Sequence, residues 1–267
     1  MIVVIRSCLG LLKRYISDYK EIIISLIIIF IMILGVLVRH AYYDWKCDVH
    51  EVKASQVIPE DSNDVLAGKT LVFIGDSICF GVGADGEAYP TWVKNYHPKA
   101  HIYNLGLGGM PIANVNDNEY TLVARIDKGE FDRFKGKADF VFLQGGINDV
   151  IMEIALGKPV ENGEYIDTYT FCGGLEYALK YFTENFDKAR IYYMSTYPCK
   201  AQNMESQEAE WQMAERICEE WGVTYIDLYG KIPVEELEGE YETWLHAPMM
   251  VHRDKIFPVI EAFLEED

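Results

Sequence analysis

The chain has 267 residues, half of them hydrophobic, which is enough for one domain with a sizeable core and one further segment. Its formal net charge is −18 at pH 7, and the part that begins at Ala41 carries 40 acidic but only 19 basic residues. Because so acidic a surface repels phosphate groups, we do not expect nucleic acid as a partner, and the sequence leaves the oligomeric state open.

The first predicted element is an apolar helix near the N-terminus. Ile22–Val38 reads IIISLIIIFIMILGVLV, 17 residues without a charge. A helix crosses a bilayer with about 20 apolar residues, and the lower limit is roughly 17. No small-residue cleavage site follows, so we interpret residues 22–40 as an uncleaved transmembrane anchor rather than a signal peptide. Four basic residues precede the span and two follow it, which predicts a cytoplasmic segment 1–21 and an extracytoplasmic body.

Six cysteines are scattered widely along the chain. None belongs to a C-x-x-C pair, so the sequence indicates neither a zinc site nor a thioredoxin-like motif. If the anchor prediction holds, five of them lie outside the cytoplasm, where disulfides form, but their spacing assigns no pairing. We expect no metal and no cofactor.

The segment 41–67 is polar and rich in turn residues, and we interpret it as a tether to a body at 68–267. In the body, apolar runs typical of strands alternate with helical patterns. The predicted strands are Leu71–Ile74, His101–Leu105, Asp139–Gln144, Arg190–Thr196 and Val223–Leu228. The predicted helices are Tyr89–Tyr96, Asn118–Asp127, Leu175–Phe186, Glu205–Trp221 and Lys255–Leu264. This alternation predicts an α/β fold with a five-stranded parallel sheet and helices on both faces.

Sites in such folds lie beyond the carboxyl ends of the strands. The first predicted strand leads into Ser77 within FIGDSICFGVG, the second into a glycine-rich turn that ends at Gly109, and the third into Asn148. His246 precedes the last predicted helix. We therefore expect these residues to converge on one edge of the sheet.

Together these residue types fit acyl transfer, which needs a nucleophile, a base and donors for an oxyanion. Ser77 at a strand-to-helix turn suits the nucleophile, although a serine there also serves as a helix N-cap. His246 titrates near neutral pH and suits the base, and His252 is the second candidate for that role. The backbone N–H of Gly109 and the side-chain amide of Asn148 suit the donors.

In order and spacing, these blocks resemble the GDSL, or SGNH, family of serine hydrolases, over about residues 69–265. The matching blocks are Gly75-Asp76-Ser77, the Asn104–Gly109 turn, Gly146-Ile147-Asn148-Asp149, and His246. The resemblance implies a three-layer, flavodoxin-like sandwich, preceded here by one transmembrane helix. It also implies a nucleophilic Ser77, a basic His246, and an oxyanion hole made by the N–H groups of Ser77 and Gly109 with the Asn148 side chain.

One position departs from the family pattern. The family usually has an aspartate three residues before the histidine to orient its ring, and this chain has Thr243 there. Glu242 is the candidate for the orienting acid, and a backbone carbonyl is the other option. The loss of an orienting carboxylate can cost orders of magnitude in turnover.

We expect structural rather than catalytic roles for several residues close to these blocks. We expect Asp76 to hydrogen-bond nearby backbone, Asp149 to organise the loop after Asn148, and Cys79 to be a small buried group. Three aromatic residues near predicted strand and loop ends are expected to pack rather than stack on sugars; they are Tyr89, Tyr197 and Trp244.

Together with the predicted anchor, the resemblance implies a membrane-anchored, extracytoplasmic serine esterase of the carboxylesterase or acetylesterase type. Its substrate would be a small acyl ester of the O-acetyl kind on a carbohydrate, and the carbohydrate rests on family analogy. Two alternatives remain. One is an acyltransferase that uses the same serine to modify a surface polysaccharide, and the other is a weak or inactive binding module with the SGNH fold.

Overall fold

The computed structural model describes residues 19–46, 51–56, 58, 64–116, 118–160, 166–233, 237 and 245–265. The chain divides into two units, Met1–Asp48 and Val49–Asp267. The first unit contains helix α1, Lys20–Lys46, along which large apolar side chains such as Phe30 and Met32 are exposed. Within the described residues, no helix combines the length and hydropathy that a bilayer span requires. The anchor at residues 22–40 stays a prediction, and the segment 1–18 lies outside the described residues.

The second unit is built on a sheet of five strands, all of them parallel. The strands are β1 (Thr70–Ile74), β2 (His101–Asn104), β3 (Phe140–Gln144), β4 (Arg190–Met194) and β5 (Thr224–Ile226). Their order across the sheet is β2-β1-β3-β4-β5. The predicted parallel five-stranded sheet is confirmed, and its strand order is the flavodoxin-like one.

Helices connect the strands. They are α2 (Ser77–Phe80), α3 (Tyr89–Tyr96), α4 (Leu122–Asp127), α5 (Ile147–Ile151), α6 (Phe171–Asn185), α7 (Met204–Trp221), α8 (Leu228–Lys231), α9 (Met249–Val251) and α10 (Phe257–Glu265). A π-helical turn, His252–Ile256, joins α9 to α10.

Several predicted boundaries differ from the observed ones, and two of them were wrong for the same reason, an N-cap. Helix α4 begins at Leu122 rather than Asn118, because the Thr121 hydroxyl accepts the N–H of Ala124. The fifth strand ends before Asp227, whose carboxylate accepts the N–H of Gly230 and starts α8. In both places a short polar side chain satisfies a helix N-terminus and stops the preceding segment.

Helices cover both faces of the sheet. On one face, Phe73 and Phe142 stack at 4.7 Å and share a buried cluster with Trp92 of α3 and Ile260 of α10. On the other face lie α4, α6 and α7, which pack side by side. Strand residues point alternately to the two faces, so a strand covered on both sides is almost wholly apolar, as β3 is up to its last residue, Gln144.

Residues ahead of β1, within the segment predicted as a tether, contact the body. The N–H of Val52 donates to the carbonyl of Ile102 at 2.7 Å. The side-chain oxygen of Asn95 accepts the N–H of Ser55 at 2.9 Å. Leu66 is buried in the same cluster as Phe73. These contacts attach this part of the chain to β2 and α3.

Candidate active site

Ser77 lies at the carboxyl end of β1, as the first residue of α2, and only 4% of its surface is exposed. The N-cap of this helix is Asp76, whose carboxylate accepts the N–H of Ile78 at 2.8 Å. Asp76, and not Ser77, is therefore the N-cap of this helix. This confirms the prediction that Asp76 hydrogen-bonds to nearby backbone. The Ser77 hydroxyl is left for another partner.

That partner is His246, whose Nε2 lies 2.8 Å from the Ser77 Oγ across 169 residues of sequence. Burial lowers the pKa of His246 below its usual range, so the imidazole is neutral at pH 7. A neutral ring with an unprotonated Nε2 can accept the hydroxyl proton. Sequence analysis proposed this pair, and the structure brings it together.

The second candidate, His252, lies elsewhere. It is fully buried, and its Nδ1 accepts the backbone N–H of Tyr89 at 3.3 Å. Burial lowers the pKa of His252 to about 4. Its ring stacks on Tyr89 at 5.9 Å, so His252 packs within the body and His246 is the histidine at Ser77.

The glycine-rich turn after β2 passes directly beside Ser77. A Cβ on Gly108 would stand 3.9 Å from the Ser77 Cβ. Gly109 has a φ of +77°, which L side chains rarely adopt, and the space beside it is open. A small ligand oxygen can thus reach the backbone at this turn.

Asn148 lies in the first turn of α5, at the carboxyl end of β3. Its Nδ2 donates to the carbonyl of Met110 at 3.2 Å, which fixes the amide against the glycine-rich turn. The amide carries two hydrogens, so the second can donate to a substrate oxygen. Ser77, Gly109 and Asn148 therefore come from three strand ends to one place.

Two glycines join the turn at Ser77 to the glycine-rich turn. A methyl group on Gly106 would overlap the backbone of Phe80, and one on Gly75 would stand 2.6 Å from the Cys79 Cβ. The N–H of Leu107 donates to the carbonyl of Gly75 at 2.8 Å. Only glycine allows the two backbones to approach this closely.

Asp149 is fully buried and holds the glycine-rich segment from the other side. Its two carboxylate oxygens accept the N–H groups of Ile112 and Ala113 at 2.8 and 3.0 Å. Burial raises the pKa of Asp149 to about 7. The sequence interpretation placed its bonds in the loop after Asn148; that was wrong, because the carboxylate points across to the segment after β2.

Sequence analysis missed Arg125, a residue of α4 of which only 1% is exposed. Its guanidinium donates to the carbonyl of Leu105 at 3.0 Å and to the sulfur of Met110 at 3.0 Å. Two further bonds join it to Glu130, at 2.6 and 2.9 Å. Arg125 thus holds both ends of the glycine-rich turn, although an arginine in the last turn of a helix usually signals an exposed position.

Gln144 was also missed. Its Nε2 lies under the Ser77 turn and donates to Asp76 at 3.2 Å and to the Thr196 hydroxyl at 3.1 Å. Burial raises the pKa of Asp76 to about 7. The only indication of this role in the sequence is that Gln144 is polar and ends an otherwise apolar strand.

Cys79 is buried, as expected, and its thiol donates to Asn104 at 3.3 Å. Burial raises the pKa of this thiol to about 12, so it is not a thiolate that could compete with Ser77. Among the described residues, Cys79, Cys172, Cys199 and Cys218 are buried and unpaired, and no cluster of side chains could hold a metal ion. Glu242, Thr243 and Trp244 lie outside the described residues.

A cavity of about 520 Å³ lies beside α5. It is lined by Val150 and Ile151 of that helix and by polar residues of the segment after β4, among them Gln202, Ser206 and Glu210. The Glu210 Oε2 is buried without a hydrogen-bond partner, and burial raises the pKa of this carboxyl to about 10. The group is therefore protonated and uncharged at neutral pH.

Solved structures of other proteins are similar to this chain in fold. A protein from Lactobacillus plantarum is 20% identical, with a TM-score of 0.58 over 75% of this chain and 98% of that chain. Two structures assigned as GDSL-like lipases, from Bacteroides ovatus and Bacteroides uniformis, are 19% and 15% identical. Their TM-scores are 0.53 and 0.55, over 75% and 78% of this chain and 99% and 100% of those chains. At these identities the likeness shows the fold.

No curated protein matches the sequence. The model of the family described as GDSL-like lipase/acylhydrolase matches residues 73–251, which is more than half of the chain and includes Ser77, Gly109, Asn148 and His246. The protein therefore belongs to the GDSL-like lipase/acylhydrolase family.

Proposed function

We propose that this protein is a serine esterase that removes small acyl groups, of the O-acetyl kind, from carbohydrate through an acyl-serine intermediate. Family membership supports ester hydrolysis in general. The observation that carries the proposal is the 2.8 Å approach of the His246 Nε2 to the Ser77 Oγ, with the histidine neutral. Nucleophile and base at this distance are the first requirement of acyl transfer.

In the first half of the reaction, the Ser77 oxygen attacks the ester carbonyl while His246 takes the hydroxyl proton. The carbonyl oxygen becomes an oxyanion, which the N–H groups of Ser77 and Gly109 and the amide of Asn148 stabilise. The intermediate then expels the alcohol, which receives the proton from His246, and the acyl group stays on Ser77. A donor of this kind is worth about 3–4 kcal/mol of barrier.

In the second half, a water molecule gives a proton to His246 and attacks the acyl-serine carbonyl. The same donors stabilise the second oxyanion, and its collapse releases the carboxylic acid and returns the proton to Ser77. The histidine is base and then acid in each half, so it must be neutral when each half begins.

The polar cavity beside α5 supports a carbohydrate as the alcohol part of the ester. Its wall is formed partly by the helix that carries Asn148. The Gln202 amide, the Ser206 hydroxyl and the protonated Glu210 carboxyl can each donate and accept hydrogen bonds, as sugar hydroxyls require. A volume of about 520 Å³ is sufficient for a sugar unit.

The test measures hydrolysis of p-nitrophenyl acetate and acetate release from an acetylated sugar by the full chain and by Ser77→Ala. We expect the variant to lose turnover on the order of 1,000-fold or more on both substrates. Equal rates for the two proteins would refute the serine mechanism. A fluorophosphonate probe should label the wild type at Ser77, and failure to label would favour a binding module.

Substrate class is tested separately. We expect the acetylated sugar to give a higher kcat/KM than p-nitrophenyl palmitate, and the reverse order would contradict the small-acyl proposal. Product analysis with a free sugar acceptor present distinguishes water from a sugar hydroxyl as the second nucleophile. Acetate as the main product is the expected result, and an acylated acceptor would identify a transferase.

We also propose that residues 22–40 hold the protein in a membrane with the body on the extracytoplasmic side. The support is the uncharged run Ile22–Val38 and the exposed apolar side chains along α1. The full chain should stay in the membrane fraction after an alkaline carbonate wash, and protease added from outside should digest the body. Release by carbonate, or protection from protease, would contradict the anchor or its orientation.

A further inference from the structure

Tyr197 follows the carboxyl end of β4, and its side chain meets the segment that carries His246. Its Oη donates to the carbonyl of Leu245 at 2.8 Å and accepts the N–H of Ala247 at 3.0 Å. One hydroxyl thus bonds to both residues that flank the histidine. Only 3% of Tyr197 is exposed, and burial raises its pKa, so the hydroxyl keeps its proton at neutral pH.

Gly83, shortly after α2, also lies close to the histidine. A Cβ on Gly83 would stand 3.1 Å from the His246 Cβ and 3.3 Å from the His246 carbonyl oxygen. Gly83 also has a φ of +82°, which disfavours any side chain there. The backbone at His246 is therefore restricted by two contacts, the close approach of Gly83 and the hydrogen bonds of the Tyr197 hydroxyl.

We propose that Tyr197 is a positioning residue that holds the His246 imidazole at hydrogen-bond distance from Ser77. A histidine side chain has only two rotatable bonds, so the location of its backbone largely decides where Nε2 lies. Where the family usually has an orienting aspartate, this chain has Thr243, and the Tyr197 bonds fix the base through its backbone. This inference rests on the proposed role of His246 as the base.

The test replaces Tyr197 by phenylalanine in the full chain, which keeps the ring and removes both hydrogen bonds. We expect kcat on p-nitrophenyl acetate to fall about 10- to 100-fold, because misplacing a reacting group by about 1 Å can cost about 100-fold. KM should change little, since both hydrogen bonds of the Tyr197 hydroxyl go to the backbone beside His246. The midpoint of the kcat/KM profile against pH should rise toward the ordinary histidine value, because a displaced ring is less buried.

Tyr181→Phe is the matched control. It removes a hydroxyl that bonds to Asp132 at 2.7 Å, on a helix remote from Ser77, and should leave kcat and the pH midpoint unchanged. A merely stabilising role for Tyr197 would lower the melting temperature without moving the midpoint. A folded Tyr197→Phe protein with wild-type kcat and midpoint would overturn the proposal.

A second variant keeps the test decisive if Tyr197→Phe does not fold. Gly83→Ala places a methyl group against His246 and should give the same fall in kcat and the same rise in the midpoint. Wild-type kinetics in Gly83→Ala would overturn the proposal. Turnover that survives Ser77→Ala would be a different result, since it refutes the proposed function as well.

Discussion

Arg125 offers a direct test of whether the glycine-rich turn must be held in place for activity. Arg125→Met keeps most of the apolar volume of the side chain and removes the bonds to Leu105, Met110 and Glu130. The turn that carries Gly109 then loses its support on the α4 side. The expected result is a loss of both stability and turnover.

The size of the stability loss follows from burial. Removing one partner of a buried ion pair costs about 3–5 kcal/mol, because the other charge is left uncompensated. The Glu130 side chain keeps 17% of its surface exposed, which places the loss near the lower end, at about 3 kcal/mol. For a domain of this size, that lowers the melting temperature by roughly 6–12 °C, and the variant stays folded at 25 °C.

The assay combines urea unfolding with p-nitrophenyl acetate kinetics on three proteins: wild type, Arg125→Met, and Arg125→Met with Glu130→Gln. The second substitution removes the unpaired carboxylate, so the double variant should regain part of the lost free energy of unfolding. Turnover should stay low in both variants, because both lack the Arg125 bonds to the Leu105 carbonyl and the Met110 sulfur. If turnover returns together with stability, or never falls, Arg125 is a stabilising residue only and the reasoning fails.

Three further outcomes follow from pKa shifts. Because burial lowers the pKa of His246, kcat/KM should rise with pH to a plateau with a midpoint below 6.5, and a midpoint above 7 would contradict a buried base. Burial alone would lower the pKa of His97, but its hydrogen bonds to Glu261 and Asp64 raise that pKa above the usual value. The protonated ring therefore stabilises the fold fully below pH 6.5, and this contribution is lost as pH rises above the folded pKa. In denaturant titrations, His97→Gln should destabilise the protein more at pH 6 than at pH 9. Burial raises the pKa of Glu210 to about 10, so the free energy of unfolding falls as pH rises above the unfolded pKa of this carboxyl, by at most about 1.4 kcal/mol per pH unit. Glu210→Gln should therefore raise the melting temperature more at pH 8 than at pH 5, and an equal effect at both pH values would contradict the buried carboxyl.

The sheet and the convergence of the site residues could be predicted because both depend on local patterns. An apolar run such as Phe140–Gln144 identifies a strand covered on both faces, and parallel strands bring their carboxyl ends to one edge. Once the strands are known, Ser77, Gly109 and Asn148 must lie near one another. This proximity follows from the strand positions alone, without any knowledge of side-chain contacts.

The residues that support the site could not be predicted, because their roles depend on contacts across long stretches of chain. Tyr197 bonds to residues 48 and 50 positions away, and nothing near it in the sequence marks the hydroxyl. Arg125 looks like an ordinary basic residue of a helix until the turn after β2 covers it. Asp149 was assigned to the wrong loop for the same reason.

The close approach of Gly106 to the backbone of Phe80 packs the glycine-rich turn directly against the turn at Ser77. Because a shift of one turn would disturb the other, the proposed oxyanion donors should be in place before an ester binds, with little rearrangement on binding. The residues proposed to react with the ester carbonyl therefore differ from those that would bind the rest of the substrate. Substrate preference is then free to change through the surrounding segments, such as the one after β4, while the chemistry at Ser77 stays the same.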